Sequence, residues 1–378
     1  MAAQEISQDP ARSRLSDLDG VRGWASLSVL FFHVFWETFG NVEAVFRNAA
    51  TASLFNGAMA VSIFFVLSGE ALSIGYWRTG SRYLLMQLCV KRYPRLTIPI
   101  FFSCLAVYLL MKMGLVFSAE AAVVVDSPNW LGAFLHLEPD LGTLLRYSLF
   151  DVYVHHTDGH SFNPFLWTMR SEILGSLVVF VFLGIERYLK LKILVLIALV
   201  VVFFQLKSYI ACFLVGVIFA KMRTEGQFLR LQEIRWVQPL SWGVLGIVLL
   251  FIAHKQIVGH SGVRPYVVAS TLLLFVVHCN KTITEFMRNG ISAWLGKISF
   301  PLYLVHFPVI ASFTSASIVV ANNHGGLTIP MIILIALASV VLSLASAWAF
   351  APVEALTRKI CALAGCLVPQ GKKNLARA

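Results

Sequence analysis

Arg22 and His33 stand eleven residues apart in an apolar run that opens with Asp19-Gly20-Val21-Arg22-Gly23. On a helix this is about three turns, so both side chains fall within roughly 20° of one face and differ in height by about 16 Å. That carries the imidazole to the middle of a hydrocarbon core about 30 Å thick. An ionisable ring at such depth is costly and reads as a reaction or transport site, suited to proton handling because it titrates near neutral pH, with a packed histidine bonded to a backbone carbonyl as the alternative. Glu37 lies four residues beyond His33 on the same helical face. It reads either as a carboxylate that orients the imidazole, as in a catalytic triad, or as a helix-end residue that reaches water.

Four further groups of residues have chemical content. Ser68 and Gly69 end the run Phe64-Phe65-Val66-Leu67 and let another helix or a ligand come close, while Glu70 is placed to meet Arg92 or Arg95, or water. In Lys91-Arg92-Tyr93-Pro94-Arg95, two guanidinium groups three residues apart can fork around phosphate oxygens, with Pro94 in a first helical turn setting their geometry. The alternative is a headgroup anchor. Phe165-Leu166-Trp167-Thr168-Met169-Arg170-Ser171-Glu172 puts Glu172 inside the fourth span, able to bind a hydroxyl-bearing acceptor or share in proton transfer, with Arg170 as a neutralising partner and Trp167 at the interface. Tyr303 and His306 share a face at i,i+3 and line a donor channel or bond locally. His155, His156, Asp158 and His160 read as a solvated loop, and no metal is expected.

The elements that must carry these residues are membrane helices. The chain is 58% hydrophobic and 13% charged, with a mean hydropathy of +0.77, which excludes an ordinary soluble domain. Apolar runs give about ten spans, near residues 21–40, 56–76, 96–117, 164–186, 191–206, 208–221, 236–254, 265–280, 298–320 and 329–352. With both ends in the cytosol, 23 of the 30 Lys and Arg residues fall on the inner side. Basic loops facing anionic lipid account for the formal charge of +11 without nucleic acid. The fold class is therefore all-α, a polytopic transmembrane bundle: residues 1–20 as a cytosolic segment with no cleavable signal, 21–352 as the membrane domain with an acidic outer loop at 118–163, and 353–378 as a cytosolic tail.

In order along the chain, these motifs resemble the acyltransferase-3 family of integral membrane acyltransferases, which includes O-antigen and nodulation-factor O-acetylases. The matching pieces are LDGVRGWASLSVLFFH at 18–33, FFVLSG at 64–69, KRYPRL at 91–96, LWTMRSE at 166–172 and WLGKISFPLYLVHFP at 294–308. The resemblance implies a ten-helix bundle in a bacterial inner (plasma) membrane that moves an acyl group, usually acetyl, from cytosolic acetyl-CoA or another acyl-CoA to a hydroxyl of a glycan or lipid-linked saccharide. By motif, His33 is then the catalytic histidine with Arg22 its partner, Glu172 sits in the family's tryptophan-to-glutamate motif and is grouped with them as catalytic, and Arg92 and Arg95 bind the CoA phosphates; Ser68, Tyr303 and His306 are grouped with these two as donor-site residues. Glu70 and Arg170 stand where the family usually has apolar or small residues. A rival reading takes His33, Glu70 and Glu172 as the proton path of a secondary transporter, although the chain shows no paired interrupted repeats.

Overall fold

The computed structural model describes residues 16–259 and 262–368, so the expectations for residues 1–15 and 369–378 lie outside the described part. No strand occurs among the described residues. Each candidate span contains a helix: α1 (Ser16–Phe31) continued by a π-helical turn at Phe32–Phe39, α2 (Gly57–Thr79), α3 (Arg82–Lys112), α4 (Thr168–Ile185), α5 (Lys192–Gln205), α6 (Ile210–Thr224), α7 (Val237–Ile257), α8 (Val263–Cys279), α9 (Gly290–Val309) and α10 (Ile329–Ala349). A further helix, α11 (Ala351–Cys366), turns back along α3.

Among the described residues, six stretches are long and apolar enough to cross a membrane by themselves, and seven if α8 and Lys281–Met287, bent by 96°, form one broken span. The other candidates are short or interrupted. Helix α5 has 14 residues, a rise of about 21 Å against a core of about 30 Å.

Local sequence explains the boundaries that matter. Gly80 adopts φ +63° and stops α2, and Ser81 then caps α3 by accepting from the Leu84 N–H at 3.2 Å. The basic cluster does not begin a helix as its proline suggested. Helix α3 starts ten residues before Arg92, so Pro94 and Pro99 lie in its interior and the arginines sit about 15 Å along it.

Two large apolar clusters make most of the interior. One joins the first part of α1 with α2, α6, α8 and the end of α4; the other joins α3, α9, α10, the end of the first span and the 118–163 loop. Glycine sets how closely helices meet across them. A methyl group at Gly216 of α6 would run into the Val66 carbonyl and the Glu70 amide of α2, and one at Gly69 would strike the Phe213 carbonyl. Gly216→Val is expected to push these helices apart and lower stability by about 1–3 kcal/mol, read as an earlier thermal transition in detergent; an unchanged transition would contradict this backbone contact.

Candidate functional site

Between the two clusters lies a cavity of about 250 Å³, bounded by Val61, Phe64 and Phe65 on one side and by Leu96, Thr168 and Tyr303 on the other. Its polar wall comes from five separated motifs. Gly23 and Gly296 bring α1 against α9, so Asp19 and Arg22 line the cavity beside Lys297. Arg22 donates to Asp19 Oδ1 and to the Leu67 carbonyl, both at 3.2 Å, which ties α1 to the Ser68-Gly69 turn of α2.

Glu172 is the hub of the opposite wall. It accepts from Ser68 Oγ at 2.7 Å and pairs with Arg92, whose Nε also donates to Ser176 Oγ at 2.8 Å. Both charges are about 11% exposed, so the pair is shielded from water and each group needs the other. The neutralising partner of Glu172 is therefore Arg92; Arg170 faces outward. Arg95 lines the same cavity, and no hydrogen bond or ion pair engages it among the described residues.

Behind the Thr168 and Tyr303 wall is a pair of histidines. The Tyr303 hydroxyl bonds to Thr168 Oγ1 at 2.7 Å and donates to the Phe165 carbonyl. The Phe165 ring stacks on both imidazoles, with centroids 4.0 Å from His33 and 4.7 Å from His306. His33 Nδ1 lies 2.9 Å from His306 Nε2, and His306 Nδ1 lies 2.9 Å from the Leu302 carbonyl. Trp130, from the 118–163 loop, closes the far side with its centroid 4.9 Å from His33.

A family model described as an acyltransferase domain matches residues 15–350. The chain belongs to the acyltransferase-3 family. It is accordingly a membrane acyltransferase acting on groups other than aminoacyl groups, and it has an acyl donor and a hydroxyl acceptor. No curated protein matches it. Among solved structures, an H+/Ca2+ exchanger, CAX, aligns over 96% of this chain and 93% of its own at 14% identity, with a TM-score of 0.14, and this carries no argument.

In this acyltransferase the sequence motifs divide between two places. Arg22, Ser68, Arg92, Arg95, Glu172 and Tyr303 line the cavity, whereas His33 and His306 form the buried pair one side-chain layer beyond it. Glu37 is not the partner of His33. The i,i+4 argument assumed an α-helix, but the helix changes to the wider π repeat after Phe31, where Thr38 Oγ1 donates to the His33 carbonyl at 2.7 Å.

Glu70 meets neither Arg92 nor Arg95. Fully buried, it accepts from Arg223 Nε at 2.7 Å and lies 3.0 Å from His278 Nε2, while Arg223 Nη2 also reaches Asp17 Oδ2 at 2.9 Å. Asp17, Arg223 and His278 border a second cavity of about 400 Å³. His33, Glu70 and Glu172 thus occupy three separate settings.

Sequence reasoning missed Asp19 and Lys297, although both lie inside the matching motifs, and it missed Trp130, Phe165 and Glu354. The 118–163 loop is a packed cover, with Leu131, Leu144, Val152 and Phe162 buried. Its His156 bonds to the Tyr147 hydroxyl at 2.8 Å, and burial holds its pKa below the ordinary histidine value.

Proposed function

We propose that this protein transfers an acyl group, acetyl in the first instance, from cytosolic acyl-CoA to a hydroxyl of a glycan or lipid-linked saccharide in a bacterial inner membrane, with His33 as general base. The observation that carries this reading is the cavity that joins an unengaged arginine, Arg95, and Lys297 to a wall whose other face holds the His33 and His306 rings. Guanidinium and ammonium groups suit the donor's phosphates, and a basic imidazole just beyond suits the thioester end. Arg92 is committed to Glu172, so the phosphate fork expected of Arg92 and Arg95 is here assigned to Arg95 with Lys297, and Arg92 with Glu172 and Ser68 shapes the passage toward the histidines.

In this mechanism the acceptor hydroxyl gives its proton to His33 Nε2 as its oxygen bonds to the thioester carbonyl carbon. The C–S bond then breaks, and the departing thiolate takes the proton from His33 to leave as free CoA. Purified protein given labelled acetyl-CoA should release free thiol in step with acyl transfer to a saccharide acceptor; release of no thiol with any hydroxyl acceptor, from folded protein, defeats the reading.

Arg95→Ala is expected to raise the donor KM by roughly tenfold or more with kcat little changed, the scale of one lost charge-assisted hydrogen bond. Acetyl-pantetheine, which lacks the nucleotide and its phosphates, should be equally poor with both enzymes. If Arg95→Ala weakens this truncated donor as much as acetyl-CoA, Arg95 does not bind phosphate.

A further inference from the structure

We propose that His306 is the positioning residue that fixes the tautomer of His33, leaving His33 Nε2 as the free base; this rests on the reading of His33 as general base. A backbone carbonyl only accepts, so His306 Nδ1, 2.9 Å from the Leu302 oxygen, carries a proton. His33 is 9% exposed and His306 1%, and among the described residues no carboxylate touches either ring, so a neutral pair is the low-energy state. His306 Nε2 is then a lone pair. His33 Nδ1, 2.9 Å away, must donate to it, and the lone pair of His33 is left on Nε2, which bonds to no group among the described residues.

The surrounding structure fixes His306 at more than one point. Pro308 has no N–H to give the Leu304 carbonyl four residues before it. That carbonyl instead accepts from Ser103 Oγ at 2.7 Å and Asn163 Nδ2 at 3.1 Å, which bolts the His306 turn to α3 and to the entry of α4. The two imidazoles lie 11° from parallel, with Phe165 stacked on both. When Nε2 takes the acceptor's proton, Nδ1–H continues to donate to a neutral His306, and the hydrogen bond becomes charge-assisted with no rearrangement. The pair does the orienting work of a triad carboxylate without placing an anion at this depth.

Nitrogen-15 spectra of histidine-labelled protein test the tautomer directly. Wild-type His33 should carry its proton on Nδ1, and in His306→Phe it should move to Nε2. His306→Phe should lower kcat roughly 100-fold at an unchanged donor KM, while His306→Gln, whose amide oxygen reaches the position of Nε2, should recover most of that rate. A wild-type spectrum with the His33 proton on Nε2 overturns the proposal without any variant. So does a His306→Phe enzyme of normal kcat, or a folded His306→Gln enzyme as slow as His306→Phe. Should His33 prove dispensable, the base reading fails, and the spectra still decide the pairing by themselves.

Discussion

His33→Asn is expected to lower kcat for acyl transfer by about 10²- to 10⁴-fold, some 3–5 kcal/mol of transition-state stabilisation, with the donor KM nearly unchanged. Asparagine separates chemistry from packing. Its amide N–H occupies roughly the place of Nδ1 and can donate to His306 Nε2, so the partner keeps its hydrogen bond while the basic nitrogen disappears. His33→Ala, by contrast, also removes a ring stacked on Phe165 and close to Trp130, and should lose stability as well as rate. Because His33 lies beyond the cavity lining, neither change should disturb the groups facing the donor's phosphates. Steady-state rates beside thermal transitions in detergent give both readings. A His33→Asn enzyme with wild-type kcat would remove the histidine from the chemistry. Rapid quenching with labelled donor adds a second decision, since label retained on His33 marks an acyl-histidine and its absence marks direct attack by the acceptor.

What the sequence disclosed and what it concealed have physical causes. The apolar runs located a helix at every candidate span, because in lipid the backbone must satisfy its own hydrogen bonds and a run apolar enough to lie there does so as a helix. Arg22, Ser68, Arg92, Arg95 and Glu172 were legible because charged or small residues inside such runs are expensive or conspicuous. Partners were not. Whether Glu172 meets Arg170 or Arg92 depends on a helix rotation and a contact 80 residues away, and periodicity along one helix cannot contain it. The His33 partner was concealed for a second reason, the switch from α to π repeat at Phe32, which moves Glu37 off the predicted face and has no sequence signal of its own. Trp130 and Phe165 were not singled out in the sequence at all. Only their stacking on His33 distinguishes them.

Glu70→Ala is expected to be the most destabilising single change in the bundle, about 3–5 kcal/mol, because it strands buried donors instead of removing a weak contact. Glu70 accepts from Arg223 and faces His278 Nε2, and His278 Nδ1 lies 3.1 Å from Arg223 Nη2. A neutral His278 satisfies both contacts by donating from Nε2 and accepting at Nδ1. Asp17 shares the positive charge of Arg223 and also stands 3.9 Å from Arg288, and the cluster joins α1, α2, α6 and α8 at one point. Removing the carboxylate leaves a buried N–H on His278 and a guanidinium with less counter-charge. Arg223→Ala should be comparably harmful, and the double variant should cost clearly less than the sum, since the two residues act as one unit. Thermal transitions of the four proteins in detergent measure that coupling; additive losses would show that the ion pair contributes little. Glu70→Gln completes the test. It can no longer carry a proton but can still accept from Arg223, so acyl transfer should survive at reduced stability. A proton path through Glu70, as a transporter would need, predicts instead that a folded Glu70→Gln protein loses its function altogether.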